Sequence, residues 1–207
     1  MPFDDVIRTP GELADLYGEP SDGVRAKAVA GFDEHCRAFI ARSPFVLVAT
    51  ADREGRCDVS PRGGAPGFVS VLDDTRLAIP DASGNNRLDT VRNIVDSGRI
   101  GLLFLIPGLA ETLRVNGRAC ITRDPELLTA HVTQGKAPKT VIGIDLDEAF
   151  LHCAKAFIRS TLWDPATWPA RDGLARPAQI WKDHMGMPEP LQEIEDWLAE
   201  DYATRLY

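Results

Sequence analysis

Apolar side chains along the chain follow two spacings, and polar turns rich in glycine, proline, aspartate and asparagine separate the segments. Runs of β-branched and apolar residues, or strict alternation as from Leu113 to Ile121, are typical of strands. The pattern predicts strands at residues 45–50, 57–61, 68–72, 77–80, 99–106, 113–122 and 140–144. Short strands joined by short turns indicate a mainly β fold with α decoration, arranged as a small antiparallel barrel.

Helical spacing of apolar residues predicts the remaining elements. Residues 24–42 place Phe32, Cys36 and Phe39 on one side of a single helix. Asp124 is predicted to cap another helix, with Pro125 in the first helical position. Further helices are predicted at residues 11–17, 88–95 and 191–206. The helix at 88–95 is expected to bury Leu88, Val91, Ile94 and Val95.

The segment at 147–162 fits either a buried helix or the end of a strand followed by a helix. On a helix, His152 and Lys155 would share a face, because residues three apart are neighbours there. An ammonium among apolar side chains needs a counter-charge, so we expect Lys155 to lie near an anion. We expect His152 to be partly buried with its hydrogen bonds satisfied, and Cys153 to lie in the core.

A polar turn with the sequence SGNNR, at residues 83–87, stands between a predicted strand and a predicted helix. Gly84 allows close backbone approach, and exposed amides at a helix N-terminus attract anions. Arg87 can offer a bidentate fork to phosphate oxygens. This chemistry predicts a phosphate site, and therefore a cofactor lying on the barrel. The alternatives are a solvent-exposed ion pair of Arg87 with Asp89 or Asp96, and asparagines that only form the turn.

The bulk properties exclude several classes of function. A chain of 207 residues, with a hydrophobic fraction of 44% and a net charge of −8, fits one globular domain with terminal extensions. The negative charge argues against a nucleic-acid partner and against adsorption to anionic membranes. Four widely spaced cysteines predict reduced thiols in a cytoplasmic protein, without a structural metal. No signal peptide is apparent, and the longest apolar run, 100–108, is too short to span a bilayer.

Six segments, taken in their order and spacing, carry a family resemblance. They are DVSPRG at 58–63, LAIP at 77–80, SGNNRLDTVRNI at 83–94, RIGLLFL at 99–105, ETLRVNGRA at 111–119 and HCAKAFIRSTLWDP at 152–165. Together they resemble the pyridoxamine 5′-phosphate oxidase family, and more narrowly its bacterial branch of FMN-dependent split-barrel enzymes. The resemblance divides the chain into an N-terminal helical extension (1–34), an FMN-binding split β-barrel (35–165) and a C-terminal extension that ends in a helix (166–207).

The resemblance implies a homodimer with FMN in grooves between the subunits, to which both chains contribute. The split barrel leaves an apolar face, and we expect residues 102–106 with residues 150–163 to cover it across a two-fold axis. The cofactor-binding residues that the resemblance carries over come from the strand beside the ring, the phosphate turn, a later strand and the C-terminal part. They are Val59, Ser60, Pro61, Arg62, Asn85, Asn86, Arg87, Glu111, Thr112, Lys155, Arg159 and Trp163.

The resemblance also implies a function, that of an FMN-dependent oxidoreductase. Such an enzyme transfers a hydride between FMN and a small substrate or a nicotinamide. The sequence departs from the oxidases that act on pyridoxamine phosphate, because it lacks their Ser-Arg-Lys turn and their C-terminal Arg-x-His signature. The alternatives are a non-catalytic FMN- or haem-binding module, a deazaflavin-dependent reductase, and a structural dimer without a ligand.

Overall fold

The computed structural model describes residues 3–82, 84 and 86–205, and its strands form one antiparallel sheet. The strands are β1 (Phe45–Ala51), β2 (Cys57–Gly63), β3 (Ser70–Val71), β4 (Arg76–Pro80), β5 (Arg99–Leu105), β6 (Thr112–Thr122) and β7 (Val141–His152). Within the described residues the sheet has seven strands in the order β2-β1-β5-β6-β7-β4-β3. Hydrogen bonds do not join the two edge strands, β2 and β3, so the sheet is not closed. The predicted mainly β fold with α decoration is confirmed.

The described part of the chain also contains eight α-helices and one short 3-10 helix, Pro165–Thr167. The α-helices are α1 (Pro10–Tyr17), α2 (Asp22–Ala26), α3 (Glu34–Arg42), α4 (Asp89–Ser97), α5 (Pro125–Ala130), α6 (Lys155–Ser160), α7 (Pro177–Met185) and α8 (Leu191–Thr204). The predicted cap of α5 is confirmed, because the Asp124 carboxylate accepts the backbone N–H groups of Glu126 and Leu127 at 2.9 and 3.2 Å. None of these helices combines the length and the apolar character needed to cross a bilayer.

One face of the sheet, the inner face, holds the main core. Alternate residues of the central strands point inward and are fully or almost fully buried, among them Val46, Val48, Leu102, Phe104 and Val115. Helices α3 and α4 cover this face through Phe39, Ile40 and Ile94, which belong to the same cluster of buried side chains. Burial of apolar surface on this scale is the main force that stabilises the fold.

The opposite face, the outer face, is defined by the register of five neighbouring strands. One row across it contains Pro61, Leu47, Leu103, Arg114 and Phe150, each paired with the next. The row beside it contains Val59, Ala49, Gly101, Asn116 and Glu148. Antiparallel partners project to the same side, so these ten residues share a surface. Among the described helices, the buried side chains of the main core come from α3 and α4, which cover the inner face.

The pairing of β6 with β7 contains a bulge that requires glycine. The register shifts between Asn116 and Gly117, and a Cβ atom on Gly117 would lie 2.1 Å from the carbonyl oxygen of Asp145. Real side chains do not approach a backbone atom so closely. The bulge bends the strands and supports the curvature of the sheet.

The single helix predicted at 24–42 is wrong. The structure has α2 and α3 there instead, and between them Val29 pairs with Ala149 of β7 through two backbone hydrogen bonds of 2.9 Å. Phe32 and Cys36 are nevertheless buried as expected. The pairing with a distant strand satisfies the backbone groups that a continuous helix would have used.

Two other helix predictions need correction. In α4, Thr90 and Ile94 are buried, whereas Val95 is 72% exposed and Leu88 is 43% exposed, so the predicted apolar face is only partly right. At the C-terminus, α7 was not predicted. It packs against α8 in a small separate cluster. That cluster contains Ala178, Ile194 and Leu198, with Met187 and Leu191 against it.

The segment at 147–162 is a strand end followed by a helix, the second of the two predicted alternatives. Strand β7 continues to His152, and α6 begins at Lys155, so these two side chains do not share a helical face. Lys155 is exposed and needs no buried counter-charge. All four cysteines are free; Cys36 is buried but Cys153 is exposed, so its expected place in the core is wrong.

Candidate functional site

Strand β2 presents the predicted ring-flanking residues to two different sides. It is an edge strand, and its side chains alternate. Val59 and Pro61 lie exposed on the outer face, and Val59 is 62% exposed. Asp58, Ser60 and Arg62 are partly buried on the inner side. The inner set faces the connection from β4 to α4, which contains the predicted phosphate turn.

That connection is tied to β2 at both ends. Near its start, a carboxylate oxygen of Asp81 lies 3.9 Å from the guanidinium of Arg62. At its end, the hydroxyl of Thr90 donates a hydrogen bond of 2.8 Å to the Asp58 carboxylate. The same oxygen of Asp58 accepts a bond of 2.9 Å from Ser60. The fold therefore brings Ser60 and Arg62 beside the turn.

Charge at the start of the connection is partly shielded from water. Burial raises the pKa of the Asp81 carboxyl above its ordinary value, while the positive charges of Arg62 and Lys139 oppose that shift. An Arg62 guanidinium held by such a carboxylate keeps donors available for a second acceptor, because a guanidinium has five N–H groups.

The turn itself has an irregular backbone. Asn86 and Leu88 adopt left-handed conformations, with φ angles of 57° and 61°. Leu88 is the N-cap residue of α4. Its apolar side chain cannot accept a hydrogen bond, so it does not cap the first N–H groups of the helix. Arg87 is exposed and forms an ion pair with Asp89, which is one of the alternatives that the sequence left open. Asn85 lies outside the described residues.

A cleft of about 530 Å³ opens beside the turn, between the β1–β2 hairpin and α4. Its lining mixes guanidinium and carboxylate groups, including Arg56, Arg87, Arg92, Asp58, Asp89 and Asp96. Several of these charges are already paired, as in the bond of 2.6 Å from Arg56 to Asp52. The cleft therefore offers donors to an anion, but an anion there competes with neighbouring carboxylates.

The remaining predicted residues form a second group at the far ends of β6 and β7. Thr112 is buried and pairs with His152 across the two strands, and Glu111 precedes it. Trp163 follows α6; its indole N–H donates a bond of 2.8 Å to the carbonyl of Leu109, and its ring stacks on Phe157 at 5.6 Å. Lys155 and Arg159 are exposed on α6.

The two groups are not adjacent within one chain. Strand β2 and strand β6 are separated by β1 and β5, a distance of about 14 Å at ordinary strand spacing. The structure brings together Ser60, Arg62 and the turn with Asn86 and Arg87, and separately Glu111, Thr112 and Trp163. A ligand that contacts both groups must therefore be large. Otherwise, the second group must come from another copy of the chain.

Comparison with known proteins identifies the fold. Residues 32–153, more than half of the chain, match the family model described as pyridoxamine 5′-phosphate oxidase. The chain belongs to this family. The match includes all seven strands of the sheet and ends just before α6. The resemblance inferred from the sequence is thereby confirmed, and the open sheet is the split barrel of the pyridoxamine 5′-phosphate oxidase family.

One solved structure with a TM-score of 0.50 supports this fold, and a second is a weaker match. A variant of HupZ from Group A Streptococcus aligns with a TM-score of 0.50 at 20% identity, over 58% of this chain and 99% of that one. General stress protein 26 from Bacillus anthracis aligns with a TM-score of 0.44 at 13% identity, over 56% and 88% of the two chains. A comparison with curated proteins gave no match. At these identities the likeness concerns the fold alone.

The turn fits the phosphate end of a flavin nucleotide, the cofactor that the family implies. The observations are the exposed Arg87 guanidinium, the first turn of α4 without a side-chain cap, and a cleft beside both. Helix N-terminal N–H groups and guanidinium groups are the donors that bind phosphate in proteins. Among the described residues, no group of side chains could hold a metal ion.

Three residues that organise this site were not singled out from the sequence. Asp58 and Thr90 join β2 to α4, and Asp81 holds Arg62. The alternation in DVSPRG placed Asp58 on the same side as Ser60, which was a usable signal. Thr90 gave none, because a threonine in the first turn of a helix is ordinarily exposed.

Proposed function

We propose that this member of the pyridoxamine 5′-phosphate oxidase family is an FMN-dependent oxidoreductase that acts on a small molecule. When bound, FMN supplies the capacity to accept or donate a hydride. The observation that carries the proposal is the phosphate turn tied to β2 at both ends, through Asp81 with Arg62 and through Thr90 with Asp58. Family membership supports the choice of a flavin.

The residues of the turn would bind the phosphate. Arg87, Asn86 and Arg62 supply donors there, with Asn85 as a further member by sequence. Arg62 pairs with Asp81 and Arg87 pairs with Asp89, so a phosphate would replace or share these carboxylate contacts. The planar guanidinium group loses less conformational entropy per hydrogen bond to a phosphate than a flexible ammonium group does.

The exposed part of β2 would hold the ring. Backbone groups of Val59, Ser60 and Pro61 lie on an edge strand, where one side of the backbone has no strand partner. Such free N–H and C=O groups can bond the polar rim of an aromatic ring system. They would orient the ring of the bound cofactor.

We propose that the second group of residues comes from the partner in a homodimer. Glu111, Thr112 and Trp163 lie about three strands away from β2 in one chain. The outer face carries Leu47 and Leu103, which are opposite each other and only partly buried. A two-fold pairing of outer faces would bury this surface. It would also bring the positive charges of Lys155 and Arg159 close to the flavin ring.

Only some of residues 102–106 are available for a dimer interface. Residues 102–106 cannot all cover an apolar face of the partner, because Leu102 and Phe104 are buried in the main core. Leu103 and Leu105 alternate with them and project outward. Light scattering at micromolar concentration measures the assembly directly, and a monomer would remove the shared site.

The test is FMN binding to the purified full-length protein. We expect flavin absorption bands in the visible spectrum, or saturable FMN uptake by the cofactor-free protein. Arg87→Ala should weaken FMN binding about 10- to 100-fold, the range for one hydrogen bond between charged groups. Arg53→Ala is the matched control, because Arg53 pairs with Asp96 on the surface and is expected to leave affinity unchanged.

Two results would contradict the proposal. Absence of any FMN uptake would exclude the flavoprotein, and equal affinity of the Arg87→Ala and wild-type proteins would exclude the turn as the phosphate site. Activity is then tested on the FMN-loaded protein with nicotinamide donors. A loaded protein that never changes the redox state of its flavin would be a carrier rather than an enzyme.

A further inference from the structure

Two cationic side chains lie over one aromatic ring on the outer face. The Lys27 ammonium is 4.9 Å from the centre of the Phe150 ring, and the Arg114 guanidinium carbon is 5.4 Å from it. Both distances are in the range of cation–π attraction. Among the described residues, no carboxylate forms an ion pair with either cation. The ring thus holds two positive charges close together that lack a negative partner.

His152 completes the cluster. Its Nδ1 atom is buried and has no hydrogen-bond partner among the described residues. Burial lowers the pKa of His152, and the positive charges of Arg114 and Lys27 lower it further. A buried polar atom without a partner is uncommon and costs free energy. The sequence-based expectation of a satisfied histidine is therefore wrong at this atom.

The backbone holds these groups in fixed positions. Arg114 is directly opposite Phe150, and His152 is two residues further along β7 on the same face. The hydrogen-bonded pair of Val29 with Ala149 places the segment that carries Lys27 against β7. The cluster is therefore built on paired backbone rather than on a free loop.

The acid on the same face does not neutralise the cluster. Glu148 lies two residues from Phe150 on β7, and its carboxylate accepts a bond of 2.8 Å from Asn116. That bond turns Glu148 toward the neighbouring row of the outer face. Two cations and the unpartnered Nδ1 of His152 are therefore left without an anionic partner among the described residues.

We propose that Lys27, Arg114 and His152 form a binding site for the acid group, carboxylate or phosphate, of a small-molecule ligand. Ammonium, guanidinium and imidazole N–H groups are the donors that oxyanions prefer. The site differs from the phosphate turn, because β7 and β2 lie four strands apart, about 19 Å at ordinary spacing. The site borders the second group of residues, because His152 pairs with Thr112, and Arg114 and Phe150 lie on the face that the proposed dimer covers. Its three donors are not among the residues proposed to bind the cofactor.

The test uses FMN-free full-length protein and two probes, inorganic phosphate and acetate, at constant ionic strength. NMR of the four histidine rings follows binding, and His152→Gln assigns the signal of interest. We expect a saturable shift of the His152 signal and a rise in its pKa, because a bound anion stabilises the imidazolium. The stronger of the two probes identifies the acid group.

Variants decide whether the cluster is responsible. Arg114→Gln and, separately, Lys27→Gln should each weaken the response of His152 at least about tenfold. Arg118→Gln, on the same strand outside the cluster, should not change it. Lys27 is exposed, so its replacement keeps the protein folded. The proposal is overturned if the His152 signal does not saturate, if both cluster variants respond like the wild type, or if Arg87→Ala abolishes the response instead.

Discussion

The hydroxyl of Thr90 in α4 donates a hydrogen bond of 2.8 Å to the carboxylate of Asp58 in β2. Thr90 is almost fully buried, so this bond is shielded from water. This contact fixes the end of the proposed phosphate turn to the edge strand. The position of the turn therefore depends on a residue that does not itself reach the cleft.

Replacing Thr90 tests this dependence. Thr90→Val keeps the shape but removes the donor, and we expect a loss of about 1.5–3 kcal/mol in the free energy of unfolding. FMN affinity should fall as well, because the turn loses its anchor. Denaturant unfolding and FMN titration measure both effects. Thr129→Val, which removes a hydroxyl bond within α5, should lower stability slightly and leave FMN affinity unchanged.

Asp89 competes with a bound phosphate for Arg87. Its carboxylate pairs with that guanidinium and lies in the first turn of α4, where it repels an anion at the helix N-terminus. We expect Asp89→Asn to raise FMN affinity about 3- to 10-fold, and more at low salt than at high salt. Equilibrium titration at two ionic strengths checks this. An unchanged or weaker affinity would show that the phosphate does not bind beside Asp89.

Gly117 tests the bulge between β6 and β7. In Gly117→Ala the new methyl group would collide with the Asp145 carbonyl oxygen, so the two strands must separate. We expect a loss of at least about 1–3 kcal/mol in stability, with a lower melting temperature. Gly23→Ala is the control, because a Cβ atom at that position in α2 meets nothing within 4 Å. If both variants melted at the wild-type temperature, the bulge would not need glycine.

The carboxyl group of Asp73 should make the free energy of unfolding depend on pH in the acid range. Its carboxylate accepts N–H bonds from Thr75 and Arg76, which lower its pKa to about 2 from an ordinary 3.8. A carboxyl with a lowered pKa in the folded state stabilises the protein above pH 3.8, and that contribution is lost as the pH falls toward 2. We therefore expect Asp73→Asn to be less stable than wild type near neutral pH.

The stability difference between the two proteins should shrink as the pH falls through that window. Denaturant unfolding at a series of pH values measures it, and the difference removes the effects of the other carboxyl groups. Asp15→Asn is the control, because Asp15 forms no hydrogen bond or ion pair with the described residues. A difference that stayed constant with pH would mean that the turn does not hold Asp73 ionised.

Local sequence patterns predicted the strands because alternation and β-branched runs depend on neighbours in the chain. The alternation from Leu113 to Ile121 is an example that the structure follows. The helix at 24–42 was wrong because Val29 pairs with Ala149, a residue far along the chain. Short-range periodicity carries no information about such a partner.

For the candidate site too, the local sequence predicted the turn but not the contacts between distant segments. The composition of SGNNR and its place before a helix marked the turn, and α4 begins two residues after Arg87. The pairings of Arg62 with Asp81 and of Asp58 with Thr90 were not predictable, because each joins segments that only the fold brings together. The unpartnered Nδ1 of His152 likewise depends on how three segments pack, which no local pattern encodes.

The described buried side chains of the main core all lie between Phe32 and Ala149. A nascent chain emerges from the ribosome N-terminus first, and domains generally fold as units during synthesis. The barrel can therefore complete its interior while α7 and α8 are still being translated. Helices α7 and α8, which have their own small cluster, would then pack after the barrel has folded. A premature stop after α6 would leave the main core of the barrel intact.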